Sequence, residues 1–393
     1  MDKQRLEQIV ALAIERALGL EEAEKYVQGG ELSKDVLLPV ARAVAQLSRS
    51  FTERAEFQVG YLDELHYRKA YLLYYLPINV PKTWALLNEL SAKPKLYLKG
   101  PIRVLDLGAG PGAATLGVLF HPLCGADIAE FFAVDRVTAV LADYEWIVSR
   151  LAQKLQRRHV IKTFAARLET VKFDGEFDII ILSNVINELA RIKPRLVFDK
   201  VAEFLSLLSW QGSLLIVEPA LKSAAIRLMK LRDALVEKCA VKIYSPCPAQ
   251  SPCPMLATTD WCHSEVFWYR PRIVAQIDKL IGNRRDTLSF SYLIIRRDGH
   301  NLAELLSDAP LWRTVGKVHK QKGKSVCYCC GLGKYAPVVK LKREAADKSF
   351  EKLRRGEYLH FSFSERGAEV KIGAEDFFKS YGSYLVDEDM QDM

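Results

Sequence analysis

Six of the eight cysteines in this chain lie in two groups whose spacing is typical of a metal site. The first group contains Cys247, Cys253 and Cys262, and the second is the string Cys-Tyr-Cys-Cys at 327–330. Zinc ribbons usually have tighter Cys-x2-Cys pairs, whereas irregular spacing beside prolines fits an iron–sulfur cluster at least as well. The sequence therefore predicts an iron–sulfur cluster, with zinc as the alternative.

The spacing alone leaves the fourth ligand open. His263 follows Cys262 directly, and Cys327, Cys329 and Cys330 lie further along the chain. Side chains alternate along a β-strand, so Cys327 and Cys329 would face one side and Cys330 the other. One or two of these cysteines could also be buried without binding a metal.

A glycine-rich turn is the second signal for chemistry. Residues 102–107 read as a buried strand, and the turn after it is Gly108-Ala109-Gly110-Pro111-Gly112, preceded by Asp106. Glycines allow a sharp turn and close approach of a ligand, and the amides of the next helix face that ligand. The spacing G-x-G-x-G after an acid is typical of S-adenosylmethionine binding in class I methyltransferases, whereas dinucleotide-binding turns carry G-x-G-x-x-G.

Further residues for the same cofactor come from other strand ends. Asp135 ends the second strand, where a carboxylate could accept hydrogen bonds from both ribose hydroxyls. Ser183 and Asn184 follow the fourth strand. Asn184, Asn187 and Glu188 could orient a substrate, although capping of the strand end and of a helix N-terminus is the simpler interpretation. The predicted cofactor-binding residues are Asp106, Gly108, Ala109, Gly110, Gly112, Asp135, Ser183 and Asn184.

The residues expected for catalysis are missing. Methyltransferases that modify exocyclic amines usually carry Asn/Asp-Pro-Pro-aromatic after strand four, and this chain has Ser-Asn-Val-Ile-Asn-Glu-Leu at 183–189. Cytosine-C5 enzymes need a nucleophilic cysteine near strands four or five, and residues 218–220 are Glu-Pro-Ala. We therefore assign no catalytic residue and predict a chiefly non-catalytic protein, with an active methyltransferase as the alternative.

Hydrophobic patterns indicate how these residues are positioned. Helical periodicity runs through residues 1–100, and alternating apolar strands and helices over 101–240 predict a doubly wound α/β domain. Residues 241–345 form a cysteine-rich region with small β structure. Residues 346–393 form an extension whose acidic tail at 387–392 we expect to be disordered.

Charge and hydropathy restrict the possible partners and the cellular compartment. The net charge is +8, and the segment 313–355 carries thirteen Lys and Arg against three acidic residues. This balance favours an anionic partner. No apolar run is long enough for a membrane span, and the N-terminus has no signal-peptide core. We expect a cytoplasmic monomer with reduced cysteines and no membrane partner.

These motifs, taken in order, resemble one family of proteins. The order is the glycine-rich turn, the segment 183–189, Val-Glu-Pro at 217–219, Cys-Pro at 247 and 253, Trp-Cys-His at 261–263, and Cys-Cys-x-x-Gly from 329. The stretch 69–77 contributes as well. The chain resembles, over roughly 45–345, the methyltransferase-like proteins associated with the small ribosomal subunit, a family with bacterial, archaeal and mitochondrial members.

The resemblance implies more than the spacing does. It implies a class I methyltransferase fold, S-adenosylmethionine at the glycine-rich turn, and a [4Fe-4S] cluster on Cys247, Cys253, Cys262 and, by the distance to Gly333, Cys329. It also implies a role in maturation of the small ribosomal subunit through contact with its rRNA. Family members usually have glycine after Glu-Pro, whereas this chain has Ala220, which would narrow the cofactor pocket.

Overall fold

The computed structural model describes residues 1–52, 60–92, 101–124, 129–193, 195–342, 349–372 and 379–381. The predicted acidic tail at 387–392 lies outside these ranges. Within them, no helix combines the length and apolar character needed to cross a bilayer.

The N-terminal region is helical, as predicted. The apolar stripes at Leu6, Ile9 and Val10 and at Val40 and Val44 are buried in one hydrophobic core with the α/β domain. A π-helical turn, Tyr71–Tyr75, joins the fourth and fifth helices. The helices are α1 Lys3–Leu18, α2 Leu20–Val27, α3 Lys34–Thr52, α4 Leu65–Ala70 and α5 Leu76–Ser91.

The centre of the molecule is a large mixed sheet. Its order is β3-β2-β1-β4-β5-β8-β6, with β7 also paired to β8. The pairs among β1–β5 are parallel, and β8 lies antiparallel to β5. The strands are β1 Ile102–Leu107, β2 Ala129–Asp135, β3 His159–Ala165, β4 Phe177–Ser183, β5 Leu208–Pro219, β6 Ile243–Ser245, β7 Ser264–Phe267 and β8 Thr287–Arg296.

Helices cover both faces of this sheet and form two hydrophobic cores, one on each face. A parallel sheet with its order reversing at β1–β4 and an antiparallel strand beside β5 is the class I methyltransferase arrangement, which confirms the predicted fold class. The sheet includes β6–β8 and so extends past residue 240. The helices are α6 Ala113–Phe120, α7 Thr138–Lys154, α8 Ile186–Ile192, α9 Leu196–Ser206, α10 Lys222–Cys239, α11 Arg272–Ile281 and α12 Leu302–Leu306.

A second, smaller sheet follows at the C-terminal end. Its order is β14-β15-β12-β11-β9-β13-β16, with β10 paired to β11. Its core contains Trp312, Cys327, Cys329 and Phe350. The strands are β9 Trp312–Thr314, β10 His319–Gln321, β11 Lys324–Gly331, β12 Lys334–Leu341, β13 Tyr358–His360, β14 Phe363–Arg366, β15 Glu369–Ile372 and β16 Lys379–Ser380.

A buried polar network joins the helical region and the two sheets. Glu89 of α5 is fully buried and accepts a hydrogen bond from the Tyr292 hydroxyl of β8 at 2.8 Å. Arg313 of β9 donates to the same hydroxyl at 3.0 Å and lies 4.0 Å from the Glu89 carboxylate. Ser245 of β6 also donates to Glu89. Because a buried charge without its partners is costly, this network fixes the three parts relative to one another.

Candidate cofactor cleft and cysteine site

A cavity of about 590 Å³ opens at the carboxyl ends of the parallel strands. Ligands of open α/β sheets bind at this edge, where the strand order reverses. The N-terminal helices cover the cavity on one side. Five of the eight predicted cofactor residues line it: Gly108, Gly110, Asp135, Ser183 and Asn184.

The glycine-rich turn has the shape that its sequence predicts. Gly108, Gly110 and Gly112 all adopt positive φ angles. A Cβ on Gly108 would lie 2.3 Å from Val185 Cγ2, and one on Gly112 would lie 2.9 Å from the Tyr144 ring. Gly110 has its nearest neighbour at 3.9 Å, so its backbone faces open space in the cavity. The first and third glycines therefore permit packing, and the second leaves room for a ligand.

Asp106 is close to this turn but does not line the cavity. It is buried, and its carboxylate accepts hydrogen bonds from the Thr115 hydroxyl at 2.8 Å and the Thr115 amide at 3.3 Å. Burial raises the pKa of Asp106 to about 6. Asp106 thus fixes the start of α6 under the turn. Ala109 and Gly112 likewise shape the turn through the hydrogen bond from the Gly112 amide to the Ala109 carbonyl, 3.0 Å long.

Asp135 lines the cavity at the end of β2. Its carboxylate accepts hydrogen bonds from the amides of Gly110 and Val137, both at 3.0 Å. Burial raises its pKa, and these two hydrogen bonds oppose that shift. The amides hold the carboxylate beside the glycine-rich turn, and its remaining lone pairs can accept hydrogen bonds from a ligand.

The end of β4 is shaped by a buried acid on the neighbouring strand. Asn184 has a φ of +62°, and its amide donates to the Val217 carbonyl at 2.7 Å. The Glu218 carboxylate accepts hydrogen bonds from the amides of Ile186 and Asn187, at 2.8 and 3.1 Å. Burial raises the pKa of Glu218 to about 8. Glu218 therefore caps α8, and Asn187 and Glu188 line the large cavity.

The N-terminal helices contribute cavity residues that the sequence analysis missed. Tyr71, which we assigned to the core, lines the cavity with Asn79 and Lys82 of α5, and Arg285 follows α11 on the same side. Lys82 donates a hydrogen bond to Asn79 at 2.9 Å in a buried setting. Asn79 and Lys82 interrupt the apolar start of α5, where residues 76–81 are otherwise Leu, Pro, Ile, Val and Pro, and this exception was the available signal.

A second cavity, of about 40 Å³, lies between α10 and the small sheet. It is lined by three of the predicted ligands, which all lie on one segment of the chain: Cys247, Cys253 and Cys262. The segment is held from behind by α10: the amide of Cys253 donates to the Asp233 carboxylate at 3.0 Å, and Arg232 donates to the backbone carbonyls of residues 249 and 251.

The fourth cysteine at this cavity is Cys330, whereas the fourth ligand predicted from the resemblance is Cys329. Cys330 lines the cavity, whereas Cys327 and Cys329 are fully buried in the core of the small sheet. The Sγ of Cys329 points to the Cys327 carbonyl at 3.7 Å. Side-chain alternation along β11 is the reason, because adjacent residues face opposite sides of a strand. His263 does not line the cavity; its Nδ1 lies 3.2 Å from the Trp261 carbonyl.

Burial disfavours the thiolate forms of these cysteines in the metal-free protein. It raises the pKa of Cys253 to about 11 and that of Cys262 to about 12, and it raises the pKa of Cys330 strongly. A bound cation reverses this effect, since coordination deprotonates a thiol outright. In the described part of the chain, no three His, Cys, Asp or Glu side chains are arranged to hold a single metal ion.

The small sheet carries an exposed aromatic pair and, elsewhere beside the same two strands, exposed lysines. Tyr328 is 39% exposed and stacks on Tyr335, with ring centroids 5.4 Å apart. Lys322, just before β11, and Lys342, just after β12, are exposed. Arg313, at the start of the predicted basic segment, is instead buried in the Glu89 network and cannot contact an external ligand.

Comparison with known proteins gives a family. The family model described as "Rsm22: Mitochondrial small ribosomal subunit Rsm22" matches residues 66–358. A curated human relative, "Ribosome assembly protein METTL17, mitochondrial", is 23% identical over 220 residues, which cover 52% of this chain and 46% of that protein. The match thus spans about half the length of this relative.

Solved structures similar to the chain include methyltransferases. An rRNA methylase from Streptococcus thermophilus shares 12% identity at a TM-score of 0.28, covering 55% of this chain and 92% of that one. N-methyltransferase NodS from Bradyrhizobium japonicum WM9, in complex with S-adenosyl-l-homocysteine, shares 13% identity at a TM-score of 0.33, covering 65% and 97%. The sequence identities and TM-scores are low, so the fold assignment rests on the strand order.

Proposed function

The chain belongs to the Rsm22 family, and on this premise we propose that it is an assembly factor of the small ribosomal subunit. It would bind S-adenosylmethionine, a [4Fe-4S] cluster and rRNA, and act chiefly without catalysis. The family match over residues 66–358 is the observation that carries the proposal. The names of the family and of the human relative refer to the small ribosomal subunit and to ribosome assembly.

Three features of the large cavity support S-adenosylmethionine as its ligand. The cavity lies at the strand edge where such cofactors bind, the backbone at Gly110 is open to it, and Asp135 offers acceptor lone pairs beside the turn. When bound, the cofactor supplies an electrophilic methyl group. Gly108, Gly110, Asp135, Ser183 and Asn184 would contact it, and Asp106 would hold the turn in shape.

The donor set of the small cavity supports a cluster. Four cysteines from two segments surround it, and four thiolates are the usual ligands of a [4Fe-4S] cluster. Each ligand then binds a different iron, so the sulfurs stand further apart than around one zinc ion, with its bonds of about 2.3 Å. The buried guanidinium groups of Arg232 and Arg313 line the same cavity and would offset the negative charge of thiolates. Cys247, Cys253, Cys262 and Cys330 are the proposed ligands.

The cluster would act as a structural cross-link. Three ligands belong to the segment after β6, and the fourth belongs to β11 of the small sheet. Binding would hold the small sheet against α10 and so present the pair Tyr328–Tyr335, and the exposed lysines at the other end of β11 and β12, to rRNA. Exposed aromatic rings stack on unpaired bases, and lysines neutralise phosphates.

The end of β4 favours a non-catalytic role. Asn184 has no prolines or aromatic ring after it, and Ile186 and Asn187 already begin a helix capped by Glu218. The alternative, an active rRNA methyltransferase, is tested by transfer of a tritiated methyl group to small-subunit RNA or immature subunits. Robust incorporation that is lost in Asp106→Ala would contradict the non-catalytic role.

The proposal is tested on anaerobically purified full-length protein. We expect about four iron and four sulfide per chain, together with a broad visible absorption. We also expect co-sedimentation with immature small subunits but not with large subunits. Stoichiometric zinc without iron would overturn the cluster, and equal binding to both subunits would overturn the assignment to the small subunit.

A further inference from the structure

Lys82 is a buried lysine that faces the large cavity. It is 9% exposed and lines the cavity. Its Nζ donates to the Asn79 side-chain oxygen at 2.9 Å, and among the described residues no carboxylate lies within 4.0 Å of it. Burial of an ammonium group is costly unless an anion pairs with it. The missing anion is therefore expected on a ligand.

Hydrogen bonds and packing connect Lys82 to the glycine-rich turn. The Tyr71 ring lies beside Gly110, since a Cβ on that glycine would be 3.9 Å from the ring. The Asn79 side chain accepts a hydrogen bond from Lys82 and lies close enough to Tyr71 to lower the pKa of its hydroxyl, against the larger effect of burial. Helix α5 also packs against α6, the helix that follows the turn, so that a Cβ on Gly117 would lie 3.0 Å from the Thr83 Cβ. Lys82 and Asp135 therefore line the same cavity from different elements, Lys82 from α5 and Asp135 from the end of β2.

We propose that Lys82 binds the α-carboxylate of the methionine moiety of S-adenosylmethionine. This inference rests on the proposed cofactor binding and adds a specific residue to it. Asp135, on β2, would take the ribose end, and Lys82 would take the opposite, anionic end of the same ligand. The helical region before the α/β domain thereby supplies a residue of the cofactor site and is more than a cover for it. The other source of an anion, an RNA phosphate, is separated from the carboxylate by the experiment.

The charges around Lys82 make this contact sensitive to pH. Burial and, to a lesser extent, nearby Arg285 lower the pKa of Lys82 to about 7, while Glu218 opposes both effects. A carboxylate that pairs with the ammonium would raise this pKa, so binding would take up a proton. Affinity should be highest below pH 7 and should decrease as the pH rises. The other charged groups lining the cavity are Asp135, Arg136, Arg167, Glu169 and Glu188.

The test compares two ligands by calorimetry on full-length, cluster-loaded protein. S-adenosylhomocysteine carries the carboxylate, and 5′-methylthioadenosine lacks the whole amino-acid part. In Lys82→Met we expect affinity for S-adenosylhomocysteine to fall about 10- to 100-fold, the range for a charge-assisted hydrogen bond. Affinity for 5′-methylthioadenosine should stay within about twofold. Lys82→Arg, which keeps the charge, should recover part of the loss.

A matched control is Lys200→Met on α9. Lys200 is also a buried lysine, at 6% exposure, but it pairs with Glu203 at 2.9 Å and does not line the cavity. We expect it to leave both affinities unchanged. The decrease in S-adenosylhomocysteine affinity between pH 6 and 8 should be shallower in Lys82→Met than in the wild type, because only the wild type loses the Lys82 proton in this range. A residual pH dependence is expected, since Glu218 titrates in both proteins.

The outcomes separate this inference from the proposed function. If the wild type binds neither ligand, cofactor binding itself fails. If the wild type binds S-adenosylhomocysteine and Lys82→Met binds it equally well, or loses both ligands equally, the carboxylate contact is wrong. A loss of rRNA affinity in Lys82→Met, with cofactor affinity intact, would assign the cation to an RNA phosphate and also overturn the proposal.

Discussion

The indole Nε1 of Trp261 donates a hydrogen bond to the backbone carbonyl of Ala220 at 2.9 Å. Ala220 lines the large cavity, and Trp261 immediately precedes Cys262, which lines the cysteine cavity. One hydrogen bond therefore joins the two sites. A change in the position of the cysteine-rich segment can reach the cofactor cleft directly through this contact.

We expect Trp261→Phe to weaken cofactor binding modestly. Loss of the indole N–H leaves the Ala220 carbonyl without this donor, which costs about 1 kcal/mol, or roughly a fivefold lower affinity. Calorimetry with S-adenosylhomocysteine measures the change. Trp210→Phe is the control, because Trp210 is 69% exposed on β5. Equal affinities in the two variants would show that the two sites are independent.

Cys330→Ser and Cys329→Ser should have opposite effects on the cluster. Cys330 lines the cysteine cavity, so its loss should abolish most of the visible absorption and the bound iron. Cys329 lies in the core of the small sheet, so its replacement should keep the iron content while lowering thermal stability. Anaerobic iron and sulfide analysis decides the matter. Retention of iron in Cys330→Ser together with its loss in Cys329→Ser would restore the assignment made from the resemblance.

Glu218 should make stability fall as the pH rises. Its pKa is about 8 in the folded protein and about 4.3 in an unfolded chain. Between these values the native state holds a proton that the unfolded state has released, so stability is greatest near pH 4.3 and is lost towards pH 8. The limiting slope is about 1.4 kcal/mol per pH unit.

Glu218→Gln should remove this contribution. The unfolding midpoint of ligand-free protein should decrease less steeply between pH 5.5 and 7.5 in this variant than in the wild type. Glu304→Gln is the control, because the Glu304 side chain is 55% exposed. Parallel midpoint curves for the wild type and Glu218→Gln would contradict the raised pKa.

Tyr328→Ala should weaken rRNA binding, and Tyr328→Phe should not. The Tyr328 ring is exposed and stacked on Tyr335, and stacking on a base contributes about 1–3 kcal/mol, or roughly 5- to 150-fold in affinity. Lys322→Gln should reduce the number of counterions released on binding, read from the slope of log affinity against log salt concentration, by about one. Filter binding over a range of salt concentrations measures both effects. Equal losses in the Ala and Phe variants would rule out stacking.

Periodicity predicted the parts of the fold whose core contacts are local. The N-terminal helices and strands β1, β2, β4 and β5 were found because each shows a strong apolar pattern. Strand β3 was missed because it lies at the edge of the sheet, where its residues are exposed or only partly buried. Its pairing with β2 supplies the evidence for a strand, and that contact is not visible in the local sequence.

The features of the two candidate sites also separate into those that depend on local sequence and those that depend on tertiary contacts. The sequence by itself determined the glycine-rich turn, because glycine is required where φ is positive and the backbone must approach a ligand. It also determined that cysteines at 247, 253 and 262 belong together, since they lie on one short segment. Only the tertiary structure placed Cys330, and not Cys329, at the cysteine cavity and Lys82 at the large cavity. Both depend on which face of an element meets a distant partner, and side-chain direction at such contacts is set by packing between elements.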